Sequence, residues 1–477
     1  VDQWKRCLHC GTLNEAENYS CTCGASWTDE YRSVGLCFSL NRQEIEQTRR
    51  AFINYQFGKD QGMLQYPLLP HRAYAPDDLF AVGGTPLYQL DRLSDQHDCN
   101  IYLKNEGDNP SGCFKDRETL ACLLNSRRRG VEKAVIYSSG NAAASAALFA
   151  QQLGIQLITF VAGDTYGEKI RYIQEHGSDV VVVGSSETTF EEGFRLYAQL
   201  NAAGVFQKQR FDNWAVRNPY RVQGDKTTAV EIVRQLLCAG EKRVPDYVIV
   251  PSANGSHLAG LWRGFKELQR LGITQELPKM VVAGIKHANP ICEAVRLEQE
   301  EKPTICTLEE LQPKDAQMGS IIVAEEGYDS VEAARAVLNS GGVGVEVGAE
   351  AIRHSMEQLL QLEEKRVLEQ AILPEPASCI ALSAVEQLRS RGILKPGELV
   401  VPVLTGHGAK AEGTIYNLLK GKPKLTRQVQ LIVQKKKQQL QLRRAEQAGR
   451  RVNVPANYSK LRRVFLKLNH SQPMSAT

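Results

Sequence analysis

From Gly83 onward, short apolar runs and glycine-bearing loops follow one another in a repeating order. Lys133 to Tyr137 is a β-branched, apolar run, Ser138-Ser139-Gly140-Asn141 is a polar loop, and Ala142 to Leu153 is spaced as a helix. Ile155 to Val161 repeats the strand, Lys169 to His176 opens a second helix, and Asp179 to Val183 is a third strand. Tyr247 to Val250, Met280 to Ile285 and Leu399 to Leu404 are runs of the same kind. They are continuous rather than alternating, as expected for strands buried on both faces. Strands separated by helices predict parallel sheets in an α/β fold. No fixed period recurs along the chain.

Both ends depart from this pattern. Cys7-Leu8-His9-Cys10 and Cys21-Thr22-Cys23 are two close cysteine pairs separated by ten residues. That spacing suits a tetrahedral thiolate cage for structural zinc. Gly11 and Gly24 follow the pairs, where tight knuckle turns need positive φ. Residues 1–35 therefore read as a zinc-ribbon-like segment with Cys7, Cys10, Cys21 and Cys23 as candidate ligands, His9 being a bystander. A cysteine-containing flap without metal is the alternative. Residues 36–82, with Tyr55, Phe57, Tyr66, Tyr74 and the stretch Pro67 to Pro76, read as a linker that wraps the body. Residues 83–418 form the core, and 419–477 a basic, partly helical tail. Its helix is expected over Gln428 to Gln447, and Pro455 and Ser471 to Thr477 suggest partial disorder.

Charge sharpens the division. The 477 residues carry a net +4, but Gly421 to Thr477 hold 14 Lys or Arg against Glu446 alone, a net +13 that leaves residues 1–420 at −9. Body and tail are treated as separate units on that ground. Lys435-Lys436-Lys437, Arg443-Arg444 and Arg450-Arg451 suit nucleic acid or an acidic membrane face. With only Tyr458 and Phe465 as aromatics, base stacking is poorly supported. A solvated helix, or one folded back on the acidic body, is favoured over nucleic-acid binding. The remaining composition, 42% hydrophobic and 23% charged, is that of a globular protein with room for two or three cores. No apolar run is long enough to span a bilayer, and Val1 to Cys10 carry no apolar export core. Single cysteines in apolar segments, such as Cys122, Cys238 and Cys379, read as reduced and buried. A cytoplasmic location is expected.

The segment Asn109-Pro110-Ser111-Gly112-Cys113-Phe114-Lys115-Asp116-Arg117 carries the most chemistry. It sets one lysine after a turn of Asn, Pro, Ser and Gly, just before a helical pattern from Glu118 to Arg129. A lysine partly desolvated at a helix start has its free amine within reach near neutral pH, as a Schiff-base lysine requires. Four loops at strand ends suit the same ligand. Ser138 to Asn141 precedes a helix and could hold an anion. Pro251-Ser252-Ala253-Asn254-Gly255-Ser256-His257 has small residues that let backbone N–H groups approach a phosphate. Glu375-Pro376-Ala377-Ser378 precedes a helix, and Leu404-Thr405-Gly406-His407-Gly408 ends the last strand. Singly, each has a bland reading: a turn, a capping Asn141, a structural His407, a solvated Lys115.

Together they resemble the fold-type-II pyridoxal-phosphate enzymes, and within them the threonine synthase family. The resemblance runs from about Gly83 to Lys410. It includes Gly83-Gly84-Thr85-Pro86-Leu87, Lys104-Asn105-Glu106, Asn218-Pro219-Tyr220-Arg221 and Gly224-Asp225-Lys226-Thr227 beside the segments above. It implies a two-domain core of parallel twisted sheets flanked by helices, a homodimer, and pyridoxal 5'-phosphate as cofactor. It implies that Lys115 binds the cofactor covalently and then acts as acid and base, with Phe114 and Asp116 flanking it. Asn141 would meet the pyridine 3′-oxygen, Ser252, Ala253, Asn254, Gly255, Ser256 and His257 the phosphate, and Thr405 the ring nitrogen. Glu375 would belong to the cofactor shell. A hydroxyl at the ring nitrogen, in place of a carboxylate, weakens the electron sink. Ser138, Ser139, Arg221 and Lys226 are candidates for the substrate's carboxylate or phosphate. The implied reaction converts O-phosphohomoserine and water to threonine and phosphate.

Some positions depart from the family pattern. Trp214-Ala215-Val216-Arg217 stands where a polar Asn-Ser pair precedes the Asn-Pro. The phosphate loop has Ala253 and Ser256-His257 in place of small residues and asparagine. Cys113 replaces a common serine, and Ala-Lys-Ala-Glu follows Gly408. These changes keep two alternatives open. One is a related replacement or elimination on another amino acid, of the cysteate synthase, diaminopropionate synthase or dehydratase type. The other is a non-catalytic scaffold that binds through its tail.

Overall fold

The structure, a computed structural model, describes residues 2–7, 13–15, 34–39, 42–55, 62–77, 79, 81–165, 167–214, 220–241, 243–286, 289–297, 330–441 and 449–470. Three sheets organise them. At the amino terminus, β1 (Asp2–Cys7) pairs antiparallel with β2 (Leu13–Glu15) and β3 (Val34–Ser39).

The next strands are β4 (Leu87–Gln89), β5 (Asn100–Asn105), β6 (Lys133–Tyr137), β7 (Gln156–Ala162), β8 (Asp179–Val183) and β9 (Asp212–Asn213). They are followed by β10 (Tyr247–Pro251), β11 (Lys279–Ile285), β12 (Val343–Val347), β13 (Leu399–Leu404) and β14 (Arg451–Val454). A six-stranded sheet runs β12-β11-β10-β13-β5-β4, parallel except for the antiparallel edge strand β4. A five-stranded parallel sheet runs β14-β8-β7-β6-β9.

The continuous apolar runs are explained by burial on both faces. In β10, Tyr247 and Ile249 enter one core while Val248 and Val250 enter the core on the opposite face. In β6, Ala134 and Ile136 separate from Val135 and Tyr137 in the same way. The α/β class and the strand positions read from the sequence hold to within a residue or two.

The helices that position the site are α1 (Lys115–Arg128), α2 (Asn141–Gln152), α3 (Tyr220–Cys238), α4 (Ser256–Arg270) and α5 (Pro376–Ser390). Two more, α6 (Pro423–Gln441) and α7 (Tyr458–His470), follow. Helix α1 starts at Lys115, three residues earlier than the pattern from Glu118 suggested, so the lysine lies in its first turn. The wrapping linker is packed: Phe52, Tyr66 and Leu68 join one core, and Met63 and Leu69 another.

Two readings are corrected. Cys238 is exposed at the end of α3, whereas Cys122 and Cys379 are buried. The basic stretch is not a unit apart from the acidic body. Leu425, Val429, Ile432 and Val433 of α6 are buried in the core beneath the six-stranded sheet. Strand β14 extends the five-stranded sheet beside β8, and Leu461, Phe465 and Leu468 of α7 close the core on its outer face. Past Pro455, where disorder was expected, α7 is a formed helix; 471–477 lie outside the described residues. The body's acids meet the tail's cations: Lys436 pairs with Asp108 at 3.0 Å, Arg450 with Asp179 at 2.7 Å, and Lys437 with Glu412. Charge counting separated segments that apolar burial joins.

Candidate active site

The turn before α1 is fixed from both sides. Gly112, at φ 81°, bends the chain, and the amide and hydroxyl of Ser111 both donate to the buried Asp116 carboxylate. The Phe114 amide donates to the Thr405 carbonyl at 3.0 Å, and the His407 amide to the Gly112 carbonyl at 2.8 Å. These bonds dock the lysine turn on the carboxyl end of β13. Lys115 lies where both large sheets deliver their loops.

A cleft of about 190 Å³ opens there, lined by Phe114 and Lys115, the β6 loop with Ser138, Gly140 and Asn141, the β10 loop from Pro251 to His257, Arg221, Glu375 and Thr405. Phe190 and Trp214 wall it. Three helices begin at its rim, and none has a side-chain cap: α2 after Gly140, α4 after Gly255, α5 after Glu375. First-turn amides have no helical acceptor, so α2 and α4 offer donors here, while α5, which opens on Pro376 and bonds its Ser378 amide to the Glu375 carbonyl, contributes mainly the positive end of its dipole. Gly255 has φ 91°, a conformation that suits glycine, and this lets α4 start abruptly after β10. Asn141 is the first residue of its helix rather than the cap, and its amide donates to Glu375 Oε1 at 3.0 Å. Thr405 Oγ1 and Ser378 Oγ are hydrogen-bonded at 2.8 Å.

Most sequence candidates meet in this cleft: Phe114, Lys115, Ser138, Asn141, Arg221, Ser252, Ala253, Asn254, Gly255, Ser256, His257, Glu375 and Thr405. Two do not line it. Ser139 is buried outside the lining. The expectation for Lys226 as a substrate residue is corrected: its Nζ is buried against the Leu68 carbonyl at 2.9 Å and Glu267 Oε2 at 3.1 Å. That lysine ties α3 to the wrapping linker and to α4. His407 is structural, with Nε2 on the Ala371 carbonyl at 2.8 Å and Nδ1 accepting from the Ala409 amide. Of the zinc candidates, Cys7 ends β1, and Cys10, Cys21 and Cys23 lie outside the described residues. Among the described residues no cluster of His, Cys, Asp or Glu is arranged to hold a metal.

One residue of the site escaped the sequence reading. Glu118 follows Lys115 by one helical turn, a spacing that places both on one face of α1. Its carboxylate accepts from Lys115 Nζ at 3.0 Å, from Ser256 Oγ at 2.8 Å and from Arg221 Nη2. Burial opposes its charge, but Arg221 and Lys115 outweigh burial and hold the carboxyl well below the usual range. Beside it, burial and then the charge of Glu118 push Asp225 well above its ordinary value. Asp225 Oδ1 lies 3.0 Å from His257 Nδ1. Burial pushes the His257 imidazole down to about 3, so it is neutral at physiological pH. Its ring packs on Phe114 with centroids 4.1 Å apart.

The residues fit pyridoxal phosphate on their own evidence. Asn254 Oδ1 and His257 Nε2 are buried in the loop without a partner, the α4 amides adjoin them, and a lysine amine stands at the cleft. A phosphate beside the loop would accept from the α4 amides and from His257 in its Nε2–H tautomer, and the lysine amine would meet a carbonyl; Asn254 Oδ1, itself an acceptor, gains no partner from the phosphate.

Comparisons with known proteins agree. The family model described as pyridoxal-phosphate dependent enzyme matches residues 79–406. The chain is 28% identical to a threonine synthase of Methanocaldococcus jannaschii over 416 residues, covering 85% of this chain and 92% of that protein. It is 29% identical to a threonine synthase of Methanosarcina acetivorans over 344 residues, covering 70% and 77%. Among solved structures, the processed threonine deaminase isoform 2 of Solanum lycopersicum superposes with TM-score 0.54 at 19% identity, covering 80% of this chain and 95% of that one. An L-serine ammonia-lyase of Rhizomucor miehei superposes with TM-score 0.53 at 20% identity, covering 71% and 98%. At such identity the structures speak for the fold alone.

Proposed function

The chain belongs to the pyridoxal-phosphate dependent enzymes, and on that premise we propose that it converts O-phosphohomoserine and water to threonine and phosphate. The observation that carries the reading is the convergence of Lys115 with the Ser252–His257 loop and the Asn141–Glu375 pair on one cleft. Pyridoxal phosphate, when bound, supplies an electron sink for charge developing on the amino acid. The protein supplies the rest. Lys115 moves protons at the α and β carbons. The amides at the start of α4, with Ser252, Asn254 and His257, hold the cofactor phosphate. Asn141 and Thr405 orient the ring. Arg221 offers a cation to the substrate's anionic groups. Trp214 and Phe190 keep bulk water from the reacting carbons.

One observation favours a second reading, a related elimination or replacement on an amino acid without phosphate. Arg221, the cation best placed for a phosphate ester, already serves Glu118. The first test is phosphate release from O-phosphohomoserine by the cofactor-loaded protein, with Lys115→Ala as control. Release matched by threonine formation, and abolished in the variant, supports the proposal. A lysine-dependent cofactor spectrum without release rejects it and turns attention to other amino acids, serine first. Failure to bind the cofactor would favour the scaffold reading.

A further inference from the structure

Three donors from three helices meet on the Glu118 carboxylate. Lys115 and Ser256 reach Oε1, and Arg221 reaches Oε2. The same three groups line the cleft and are the ones an incoming anion would use. Glu118 is almost fully buried in α1, so its charge has no solvent to turn to.

The surroundings add little to offset it. Asp225, packed beside it, is pushed upward by burial and then by Glu118 itself, so its carboxyl gives up its proton less readily than an ordinary aspartate. His257 is neutral. Glu375 faces the cleft from α5 and is bound to Asn141. The corner thus sets Lys115 and Arg221 against Glu118. Were Lys115 to hold the cofactor, Arg221 would remain as a cation facing Glu118.

We infer that Glu118 is a specificity-determining residue: its carboxylate competes with ligand anions for Arg221, so the cleft holds a phosphate loosely and lets it go. An anion entering here must share Arg221 with a like charge a few ångströms away, which weakens its hold. The arrangement suits a reaction that releases an anion in every turnover. This inference rests on the proposed reading of the cleft as an amino-acid site, but its test does not need turnover.

The probe is inorganic phosphate, its affinity for the cofactor-loaded protein measured by titration calorimetry, with visible absorbance confirming that cofactor is retained. In Glu118→Gln, phosphate binds tighter by roughly ten-fold or more, the scale of a charge-assisted hydrogen bond set free. Adding Arg221→Gln to that variant removes the gain. Glu118→Asp draws the carboxylate back from Arg221 and gives a smaller tightening, which serves if the glutamine variant does not fold. Unchanged phosphate affinity in whichever variants fold and retain cofactor overturns the inference, as does a gain that survives Arg221→Gln. If the wild type forms no threonine yet Glu118→Gln still tightens on phosphate, the proposed reaction fails and the role of Glu118 stands. If threonine forms and phosphate affinity does not move, the reverse holds.

Discussion

Arg117 and Glu118 are neighbours on α1, yet they feed two ion clusters of different character. Arg117 bridges Glu106 and Glu231, at 2.7 Å to each, and Lys104 reaches Glu231 at 2.7 Å, all four side chains without solvent exposure. Thr85 and Thr227 hydroxyls complete it. This cluster joins the carboxyl end of β5 to α1 and α3 and is closed. The Glu118 cluster uses the same two helices, but Lys115 and Arg221 face the cleft. Buried ion pairs recover their desolvation cost only when every partner is in place. The closed cluster has one satisfactory arrangement, whereas the open one can exchange a partner for a ligand. The difference separates scaffold from site more clearly than burial does, because the carboxylates of both clusters, Glu106, Glu231 and Glu118, are buried.

The largest expected effect comes from breaking the closed cluster. Arg117→Met leaves Glu106 and Glu231 buried with Lys104 as the remaining cation of the cluster among the described residues. Destabilisation of about 3–5 kcal/mol is expected from a buried network that loses one partner, read from urea denaturation of protein without added cofactor. An unchanged midpoint would remove the scaffold role. Arg221→Gln, measured side by side, should cost only about 1–2 kcal/mol, because Glu118 keeps Lys115 and Ser256 as donors. In the loaded protein the same variant should weaken amino-acid binding by roughly ten-fold. Equal stability losses in the two variants would erase the distinction between closed and open clusters.

Much of this was legible in the sequence, and the physical reason differs by region. Strands buried on both faces leave a continuous apolar signature, so β6, β7, β8, β10, β11 and β13 were found near their places. The cleft loops were found because small residues and glycines at strand ends serve backbone approach, which the sequence displays directly. Glu118 was missed because a glutamate in an amphipathic pattern looks like a solvated first-turn residue; only the tertiary approach of Arg221 and Ser256 makes it part of the site. Lys226 was misplaced for the converse reason. Its motif position said nothing about Glu267, which captures its amine from α4. Folding back on the acidic body was one of the favoured readings of the tail and agrees with its ion pairs; the division into separate units did not hold, because +13 in net charge is conspicuous whereas Val429, Ile432 and Phe465, spread among Lys and Gln, mark the buried faces weakly.

The last test, a change in pH dependence, asks whether the tail belongs to the closed part of the molecule. His407 sits behind the lysine turn, its imidazole tied to Ala371 and Ala409. Burial, and then Lys436 of α6, push it down to about 3, with Lys410 adding in the same direction. In the unfolded chain its pKa returns to about 6.5. Between these values the unfolded state binds the extra proton, so this group's contribution is fully present above about pH 6.5 and is lost as pH falls. From pH 6.5 to 5 the loss amounts to about 2 kcal/mol. His407→Gln cannot take up that proton, so its stability should decline less over the same interval. His257, which titrates in the same sense, and Asp225, which titrates in the opposite one, are common to both proteins and cancel in the difference. Denaturation midpoints at pH 7.5, 6 and 5 should therefore converge as the medium acidifies. Parallel curves would mean that His407 meets solvent and that α6 does not seal the back of the site.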